Sequence, residues 1–259
     1  MKSFRDTCEL LGYELTLLGG TIVRLPHLWR RRSATLDQLF TIGVSVVHVV
    51  LFVGLFTGMI LTLQTGVALS EFGQQDQIGT IVALSMAREM GPFITGIILA
   101  ATAGSALAAE LGTMKVSDEL AALEILSVDR TDYLVLPRIV ALAIACPLLA
   151  VLCDTIGVMG GALVASSQLG VETQLYFDSA VEALKTPGAF LSLPKDVYTG
   201  LFKAFVFGVI IATIACSCGI RARGGALGVG EATRRAVRDS IIFIIVANYF
   251  LTYLFYSAV

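Results

Sequence analysis

The sequence predicts an all-α integral membrane protein, on the basis of its composition and the length of its apolar segments. Of the 259 residues, 56% are hydrophobic and 15% are charged, whereas a soluble domain carries about 25% charged residues. Several apolar segments reach the roughly 20 residues that a helix needs to cross a bilayer. We therefore expect a single domain, 1–259, with five transmembrane helices at 40–63, 78–109, 137–170, 199–220 and 241–259.

Residues 1–32 are predicted to form an interfacial amphipathic helix followed by a basic linker. Apolar residues between 4 and 25 recur at steps of four and three, which places them on one helical face. These residues are Phe4, Cys8, Leu11, Leu15, Leu18, Ile22 and Leu25. A helix of this kind is typical of one that lies along a membrane surface with its apolar side in the acyl boundary. A helix packed only on protein is the alternative.

The distribution of Lys and Arg predicts a cytoplasmic N-terminus and an outside C-terminus, because cytoplasmic loops carry the excess of positive residues. In this orientation the outside loops hold Lys185 and Lys195, and the inside segments hold 14 of the 18 Lys and Arg residues. The inside residues are Lys2, Arg5, Arg24, Arg30, Arg31, Arg32, Lys115, Arg130, Arg138, Arg221, Arg223, Arg234, Arg235 and Arg238.

Three polar segments separate the later spans. Residues 115–132 are predicted to form a cytoplasmic helix with Ser117 as its N-cap and acidic residues in its first turn, where the helix dipole favours them. Its combination of acidic and apolar residues indicates docking on a partner, and an ordinary solvated helix is the alternative. Residues 171–198, which include Pro187 and Pro194, are predicted to form an outside segment with short surface helices. Residues 220–240 are rich in Gly and Arg and are predicted to be a loop.

Charged residues inside the predicted spans are the main candidates for a functional site. Arg88 and Glu89 are adjacent in the second span, Asp154 lies in the third and Lys203 in the fourth. Each charge at the centre of a bilayer costs about 2.5–3.5 kcal/mol on insertion scales. At 1.5 Å per residue, Arg88 lies roughly 15 Å deep and Asn248 about 16 Å deep. We expect these groups to line one cavity that opens outward, and a structural ion pair that locks helices together is the alternative.

Other sequence features argue against catalysis in this chain. The segment GGALGVGEAT (224–233) lacks the G-K-[ST] ending of a phosphate-binding P-loop. The cysteines form no C-x-x-C pair and are predicted to be small apolar core residues. They are Cys8, Cys146, Cys153, Cys216 and Cys218. We therefore expect a chain without enzymatic activity, with no cofactor, no metal and no nucleic acid of its own.

Two glycine spacings predict close approach between helices. GLFTG (Gly54 to Gly58) and GVMGG (Gly157 to Gly161) each place small residues four positions apart on one helix face. Such pairs allow the backbones of membrane helices to come together.

Long ordered motifs resemble one known family. The stretch SMAREMGPFITGIILAATAGSALAAELGTMKVSDELAALEILSVD, followed by PRIVA, GVMGGALV and GGALGVGEATRRAVRDS, is similar to the MlaE/YrbE family. These proteins are permease subunits of ABC transporters associated with MCE (mammalian cell entry) proteins. The resemblance extends from about residue 40 to the end of the chain.

The resemblance implies a homodimeric permease in a bacterial inner membrane that moves phospholipid between that membrane and an outer ring of MCE proteins, and so maintains outer-membrane lipid asymmetry. It also implies a separate cytoplasmic ATPase that binds ATP and Mg, and a STAS-domain regulator. The segment 115–132 would be the coupling helix that docks on the ATPase. Its implied docking residues are Asp118, Glu119, Leu120, Leu123 and Glu124.

The same resemblance implies a lipid-binding set. Family members carry the Arg–Glu pair and the lysine of the fourth span. Some relatives have aspartate where this chain has Asn248, and relatives are apolar where it has Asp154, so Asp154 is expected to replace the missing carboxylate. The implied set is Arg88, Glu89, Asp154, Lys203 and Asn248.

Two other functions fit parts of the pattern. A secondary transporter could use Arg88, Glu89 and Asp154 as a proton relay, since ionisable residues in membranes mark such relays. Five spans and the absence of an inverted repeat of the kind many carriers have count against it. The third interpretation is a membrane scaffold that transports nothing.

Overall fold

The structure, a computed structural model, describes residues 2–185 and 194–256, and it describes side chains from residue 12 onward except that of Arg30. The described residues are helical and contain no β-strand. The α-helices are α1 Lys2–Arg24, α2 Arg32–Ser70, α3 Ile78–Ser85, α4 Gly91–Leu99, α5 Ser105–Val116, α6 Glu119–Ile125, α7 Leu136–Gln168, α8 Thr173–Leu184, α9 Lys195–Ile220 and α10 Gly225–Tyr256. Turns of π-helix at Met86–Met90, Ala100–Gly104 and Thr131–Val135 connect α3 to α4, α4 to α5, and lead into α7.

Five helical segments are long and apolar enough to cross a membrane, which confirms the predicted number. They are Arg32–Ser70, Gln75–Val116, Thr131–Gln168, Lys195–Ile220 and Gly225–Tyr256. Each begins before its predicted start, because apolar composition marks only the part of a helix suited to lipid, while backbone hydrogen bonding continues beyond it.

The prediction of a loop over 220–240 is wrong for most of that segment. The positive φ angles of Gly224 (+89°) and Gly225 (+70°) end a short connection, and α10 then runs without interruption through the arginine-rich stretch. Gly228 and Gly230 lie inside this helix. The glycine content therefore indicated a loop where the structure has a helix.

The chain divides into two compact units, each built from several helices. Unit 1 comprises Met1–Ser45, Leu99–Ala145 and Val206–Ala247, and unit 2 comprises Val46–Ile98, Cys146–Phe205 and Asn248–Val259.

In unit 2, close backbone contact between α2 and α7 confirms the prediction from the glycine spacings. A β-carbon on Gly58 would lie 1.8 Å from the carbonyl oxygen of Gly157, and one on Gly54 would lie 3.0 Å from that of Cys153. Only glycine at position 58 permits this approach. The two helices are therefore packed through their main chains.

In unit 1, helix α1 presents two different faces. Leu17 and Thr21 are buried, whereas Leu15 and Ile22 are 68% and 62% exposed. The exposed residues belong to the apolar stripe that the sequence analysis assigned to the membrane surface, and the interfacial location itself stays a prediction. The side chains of Phe4, Cys8 and Leu11 lie outside the described residues.

The polar segments differ from their predicted boundaries. In 115–132 the first two residues end α5, the last two begin the π-turn before α7, and the separate helix α6 covers only Glu119–Ile125. The N-cap position of α6 belongs to Asp118, so Ser117 is not the cap. Asp118 has a left-handed backbone (φ 58°) and makes no side-chain capping bond. Among the described residues of 171–198, helix α8 precedes the start of α9, and Pro187 lies outside the described residues.

The cysteines whose side chains are described match their predicted role. Cys146, Cys153, Cys216 and Cys218 are buried. The side chain of Cys8 lies outside the described part of the chain.

Candidate functional site

The adjacent charges of the second span lie in a turn of π-helix. Met86–Met90, with the sequence MAREM, forms this turn between α3 and α4 in unit 2. A π-turn widens the helix locally, and such turns are frequent at functional sites. Arg88 and Glu89 leave this turn toward different partners on α9 and α10.

Glu89 is the centre of the first group of contacts. Its Oε1 accepts a hydrogen bond from Lys203 Nζ at 2.5 Å and one from Thr252 Oγ1 at 2.9 Å, and its Oε2 accepts from Asn248 Nδ2 at 3.0 Å. Lys203 is fully buried and also donates to the carbonyl oxygen of Arg88 at 3.0 Å and to Thr252 Oγ1 at 2.8 Å. Since an ammonium group has three donors, Lys203 is fully engaged by the protein.

Arg88 belongs to a second group of contacts, with Asp196 and Tyr256. Its Nε donates to Asp196 Oδ1 at 2.6 Å, and the Tyr256 hydroxyl donates to the same oxygen at 3.0 Å. The Arg88 Cζ atom also lies 5.1 Å from the centroid of the Tyr256 ring. The Asp196 side chain is 4% exposed and that of Arg88 is 37% exposed. Within the described ranges no side chain or carbonyl accepts a hydrogen bond from the Arg88 Nη atoms.

The structure brings together four of the five residues in the predicted lipid-binding set. Arg88, Glu89, Lys203 and Asn248 meet in unit 2, whereas Asp154 makes no ion pair or hydrogen bond with them in the described part of the chain. The carboxylate instead abuts Gly91, where a β-carbon would lie 1.7 Å from Asp154 Oδ1. Asp154 therefore does not take the place of a carboxylate at position 248 in this network.

The predicted lipid-binding set did not include three residues of these two groups of contacts, Asp196, Thr252 and Tyr256. Two signals in the sequence point to them. Asn248, Thr252 and Tyr256 follow one another at steps of four, which forms a polar stripe on the apolar part of α10 after Ser240. Asp196 precedes Lys203 by seven residues, or about two helical turns, so both lie on the same face of α9.

The predicted coupling residues occupy different environments in unit 1. Leu120 is 1% exposed and packs inside the protein, Leu123 is half-buried, and Asp118, Glu119 and Glu124 are exposed. Glu124 accepts a hydrogen bond from Arg130 Nη1 at 2.8 Å.

The exposed apolar residues lie at the C-terminal end of α6. Ile125 is 84% exposed and Leu126 is 71% exposed. The amide of Ser127, with φ 57°, donates to the Glu124 carbonyl, and the amide of Val128 donates to the Leu123 carbonyl. These two bonds form a Schellman motif, which ends the helix at a fixed position and leaves the apolar pair exposed beside the turn.

Ion pairs attach the segment after α6 to the N-terminal region. Arg24 Nε donates to Asp129 Oδ2 at 2.8 Å, and Arg31 Nη2 lies 3.4 Å from Asp132 Oδ2. Burial raises the pKa of Asp129, but hydrogen bonds from the Thr131 amide and the Arg24 guanidinium outweigh it, so its pKa is below the ordinary value. The segment after α6 is therefore joined by charge pairs to the end of α1 and to the turn that follows it.

Glu14 of α1 has a strongly altered acidity. Its pKa is raised to about 7. Burial is the largest cause of this rise and the negative charge of Asp239 adds to it, whereas the positive charge of Arg221 lowers the pKa. The Arg221 Cζ atom also lies 5.5 Å from the ring centroid of Tyr13. The interactions of α1 with Arg221 and Asp239 therefore depend on whether Glu14 is protonated.

Comparison with known proteins identifies the family. The family model described as Permease MlaE matches residues 35–254. A probable ABC transporter permease protein of Rickettsia bellii is 41% identical over 225 residues, which cover 87% of this chain and 84% of the relative. The TRIGALACTOSYLDIACYLGLYCEROL 1 protein of Arabidopsis thaliana chloroplasts is 39% identical over 88% of this chain and 62% of its own length.

A third relative matches nearly the whole chain. The intermembrane phospholipid transport system permease protein MlaE of Haemophilus influenzae is 32% identical over 257 residues, or 99% of this chain and 96% of the relative. The match includes the π-turn with Arg88 and Glu89 as well as α9 and α10. The chain belongs to the MlaE family of ABC transporter permeases.

Proposed function

We propose that this chain is the membrane-spanning subunit of an ATP-driven transporter that moves phospholipid between a bacterial inner membrane and an MCE protein, and so maintains outer-membrane lipid asymmetry. Membership of the permease family and the name of the Haemophilus relative, an intermembrane phospholipid transport system permease, support the transporter class and the cargo. The family resemblance supports a homodimer, a STAS-domain regulator and an MCE ring as partners.

The observation that carries the proposal is the state of Arg88. Asp196 fixes its Nε, and its Nη donors have no acceptor among the described residues. A guanidinium group presents paired donors whose geometry matches two oxygens of a phosphate. Arg88 is thus held in position by one carboxylate while its outer donors bind a lipid phosphate.

The neighbouring residues have a supporting role. Lys203 and Glu89 satisfy one another and hold the π-turn against α9 and α10. Lys195 Nζ lies 5.4 Å from the ring centroid of Tyr256, on which Arg88 also packs, and so adds a second cation near the proposed phosphate. Of the cations in the network, Lys203 is therefore assigned to structure and Arg88 to the ligand.

ATP hydrolysis takes place on a separate ATPase in this proposal, since the chain carries no P-loop. Helix α6 is the coupling element, and its exposed Ile125 and Leu126 enter the ATPase. The excess of Lys and Arg in the segments around α1, α6 and the start of α10 supports a cytoplasmic N-terminus and an outside C-terminus.

The proton-relay alternative has little support. A relay needs a continuous set of hydrogen-bonding groups, and no bond joins Asp154 to Arg88 or Glu89 in the ranges that the structure describes. The carboxylate of Glu89 is also committed to Lys203, Thr252 and Asn248.

The proposal is tested by measuring how much phospholipid binds to the purified chain when Arg88 is substituted. Hydrogen bonds to charged groups contribute about 1.5–3 kcal/mol, so Arg88→Ala should lower phospholipid affinity about tenfold or more. Arg88→Lys, which keeps the charge but lacks the paired donors, should retain part of it. Lys185→Ala removes an exposed cation of unit 2 and serves as the control. Normal lipid occupancy and transport by a folded Arg88→Ala variant would assign the Arg88–Asp196 pair to structure alone.

A further inference from the structure

Unit 2 contains an apolar cavity whose lining includes neither Arg88 nor Glu89. It has a volume of about 290 Å³ and is bounded by residues of α3, the following π-turn, α7, α8 and the first turn of α9. Its walls include Ala87, Val158, Phe177 and Val197. This volume is close to the lower end of the range for small-molecule sites, roughly 300–1,000 Å³, and it suits one acyl chain rather than two.

Asp154 is the one ionisable side chain among the described residues of this wall. Its Oδ1 is buried and has no hydrogen-bond partner among the described residues, and the carboxylate is wedged against Gly91. An ionised carboxylate with one buried oxygen that has no donor or counter-charge is unfavourable. A cationic hydrogen-bond donor bound in the cavity next to Asp154 would therefore be favourable.

The cavity adjoins the ion pair that contains Arg88. Ala87 lines the cavity and directly precedes Arg88, and Val197 lines it and directly follows Asp196. Asp154 on α7 thus lies in the cavity wall, while Arg88 of the π-turn and Asp196 of α9 each directly adjoin a wall residue. A headgroup that contains an ammonium group beside a phosphate carries charges opposite to those of Asp154 and Arg88.

We propose that this cavity binds a lipid that carries a primary ammonium group, with the ammonium paired to Asp154 and an apolar chain against the cavity walls. Among membrane phospholipids this selects an aminophospholipid over one with an uncharged headgroup. The selection of a phospholipid rests on the proposed function of Arg88, whereas the ammonium site itself depends on Asp154. An ammonium group supplies both the charge and the donors that the carboxylate lacks.

The first experiment tests the ammonium site without any phosphate. Detergent-purified full-length chain is exposed to dodecylamine or dodecanol, and bound amphiphile is measured by native mass spectrometry. We expect dodecylamine to bind at least tenfold more tightly than dodecanol, and Asp154→Asn to abolish the difference. Asp178→Asn removes an exposed carboxylate of α8 and should leave the difference unchanged. Equal binding of the two amphiphiles to the unaltered chain, or a difference that survives in Asp154→Asn, overturns the proposal.

The second experiment measures headgroup choice. The chain is reconstituted in equal amounts of phosphatidylethanolamine and phosphatidylglycerol, and the retained lipids are counted, with N-acetylated phosphatidylethanolamine replacing the amine in a parallel sample. We expect severalfold enrichment of the free amine, and loss of this enrichment in Asp154→Asn. Enrichment of the acetylated lipid to the same extent contradicts the proposal.

These two readouts separate the ammonium site from the proposed function. If Arg88→Ala leaves total phospholipid unchanged while the dodecylamine result depends on Asp154, the phosphate assignment fails and the ammonium site stands. Gly91→Ala provides a second variant, since its β-carbon would displace the carboxylate without removing the charge. It should weaken dodecylamine binding in folded protein.

Discussion

Lys203 and Glu89 form an ion pair in which Nζ lies 2.5 Å from Oε1, with the lysine side chain fully buried and the glutamate side chain 29% exposed. Replacing both partners of such a pair by apolar groups is often tolerated, whereas removing one leaves an uncompensated charge. The pair joins the second span to α9, and Thr252 and Asn248 of α10 join the same carboxylate. We infer that this group of contacts stabilises the arrangement of three helices.

The first prediction concerns the loss of one partner from this pair. Lys203→Met keeps an unbranched side chain but leaves Glu89 without its cation, and should lower the free energy of unfolding by about 3 kcal/mol. The measurement is denaturant or thermal unfolding of the purified chain in detergent. Lys203→Met combined with Glu89→Leu should recover much of this loss, because no buried charge then lacks a partner. A double variant as unstable as the single one would contradict this explanation.

The second prediction concerns the backbone contact of α2 with α7. Gly58→Ala would place a methyl group 1.8 Å from the Gly157 carbonyl oxygen, so the helices must separate. Overpacking of this kind costs about 1–3 kcal/mol, and we expect a lower unfolding temperature. Gly43→Ala on the same helix meets no atom within 4 Å, and alanine favours a helix over glycine by about 1 kcal/mol. Gly43→Ala should therefore be neutral or stabilising, and equal effects of the two changes would refute the assignment.

The number of spanning helices could be predicted because an apolar segment of sufficient length is a signal that does not depend on tertiary contacts. The start of α10 could not. Glycines at 224, 225, 228 and 230 favour a turn locally, and only the first two have the positive φ that a turn uses. The helix continues past the others, since context overrides local propensity.

The candidate site could be predicted in part for a related reason. A charge within an apolar segment is conspicuous, so Arg88, Glu89 and Lys203 were found from the sequence. Asp196 and Tyr256 lie near the ends of their helices, where polar residues are ordinary, and their role depends on contacts between distant parts of the chain. The position of Asp154 opposite Gly91 likewise depends on packing that composition does not encode.

The third prediction concerns docking of the ATPase on α6. Ile125→Asp should weaken co-purification of the ATPase about tenfold or more, because burying an isoleucine side chain contributes about 1.5–3 kcal/mol. Since Ile125 is 84% exposed, the change should leave the fold of the free chain intact. Leu123→Asp is a less selective test, because Leu123 is half-buried in the chain itself.

Phe72→Asp is the matched control for this experiment. Phe72 is 76% exposed and follows the end of α2, in the turn that leads to the second span. In the proposed orientation this turn lies outside, so the change should not affect the ATPase. Loss of the ATPase from both variants, or from neither, would place the docking surface elsewhere.

The fourth prediction concerns pH and Glu14. Burial raises the pKa of Glu14 from 4.5 to about 7, with Asp239 adding to the effect and Arg221 opposing it. Below about pH 4.5 the carboxyl is protonated in both the folded and the unfolded chain. Between about pH 4.5 and 7 the folded chain binds more protons at this residue than the unfolded chain does, so its contribution to stability falls as the pH rises. Above pH 7 the ionised carboxylate remains as a constant unfavourable contribution.

Glu14→Gln should remove this dependence, because a glutamine of similar size does not ionise. The variant should therefore gain stability over the unaltered chain progressively from pH 4.5 to 7, and the gain should then level off. Thermal unfolding of both proteins across pH 4.5–8 measures the difference, and Asp37→Asn on α2 controls for the loss of one negative charge. If the unaltered chain gains stability relative to Glu14→Gln as the pH rises, the carboxylate is stabilised by Arg221 more than it is destabilised by burial and Asp239, which reverses the assigned balance.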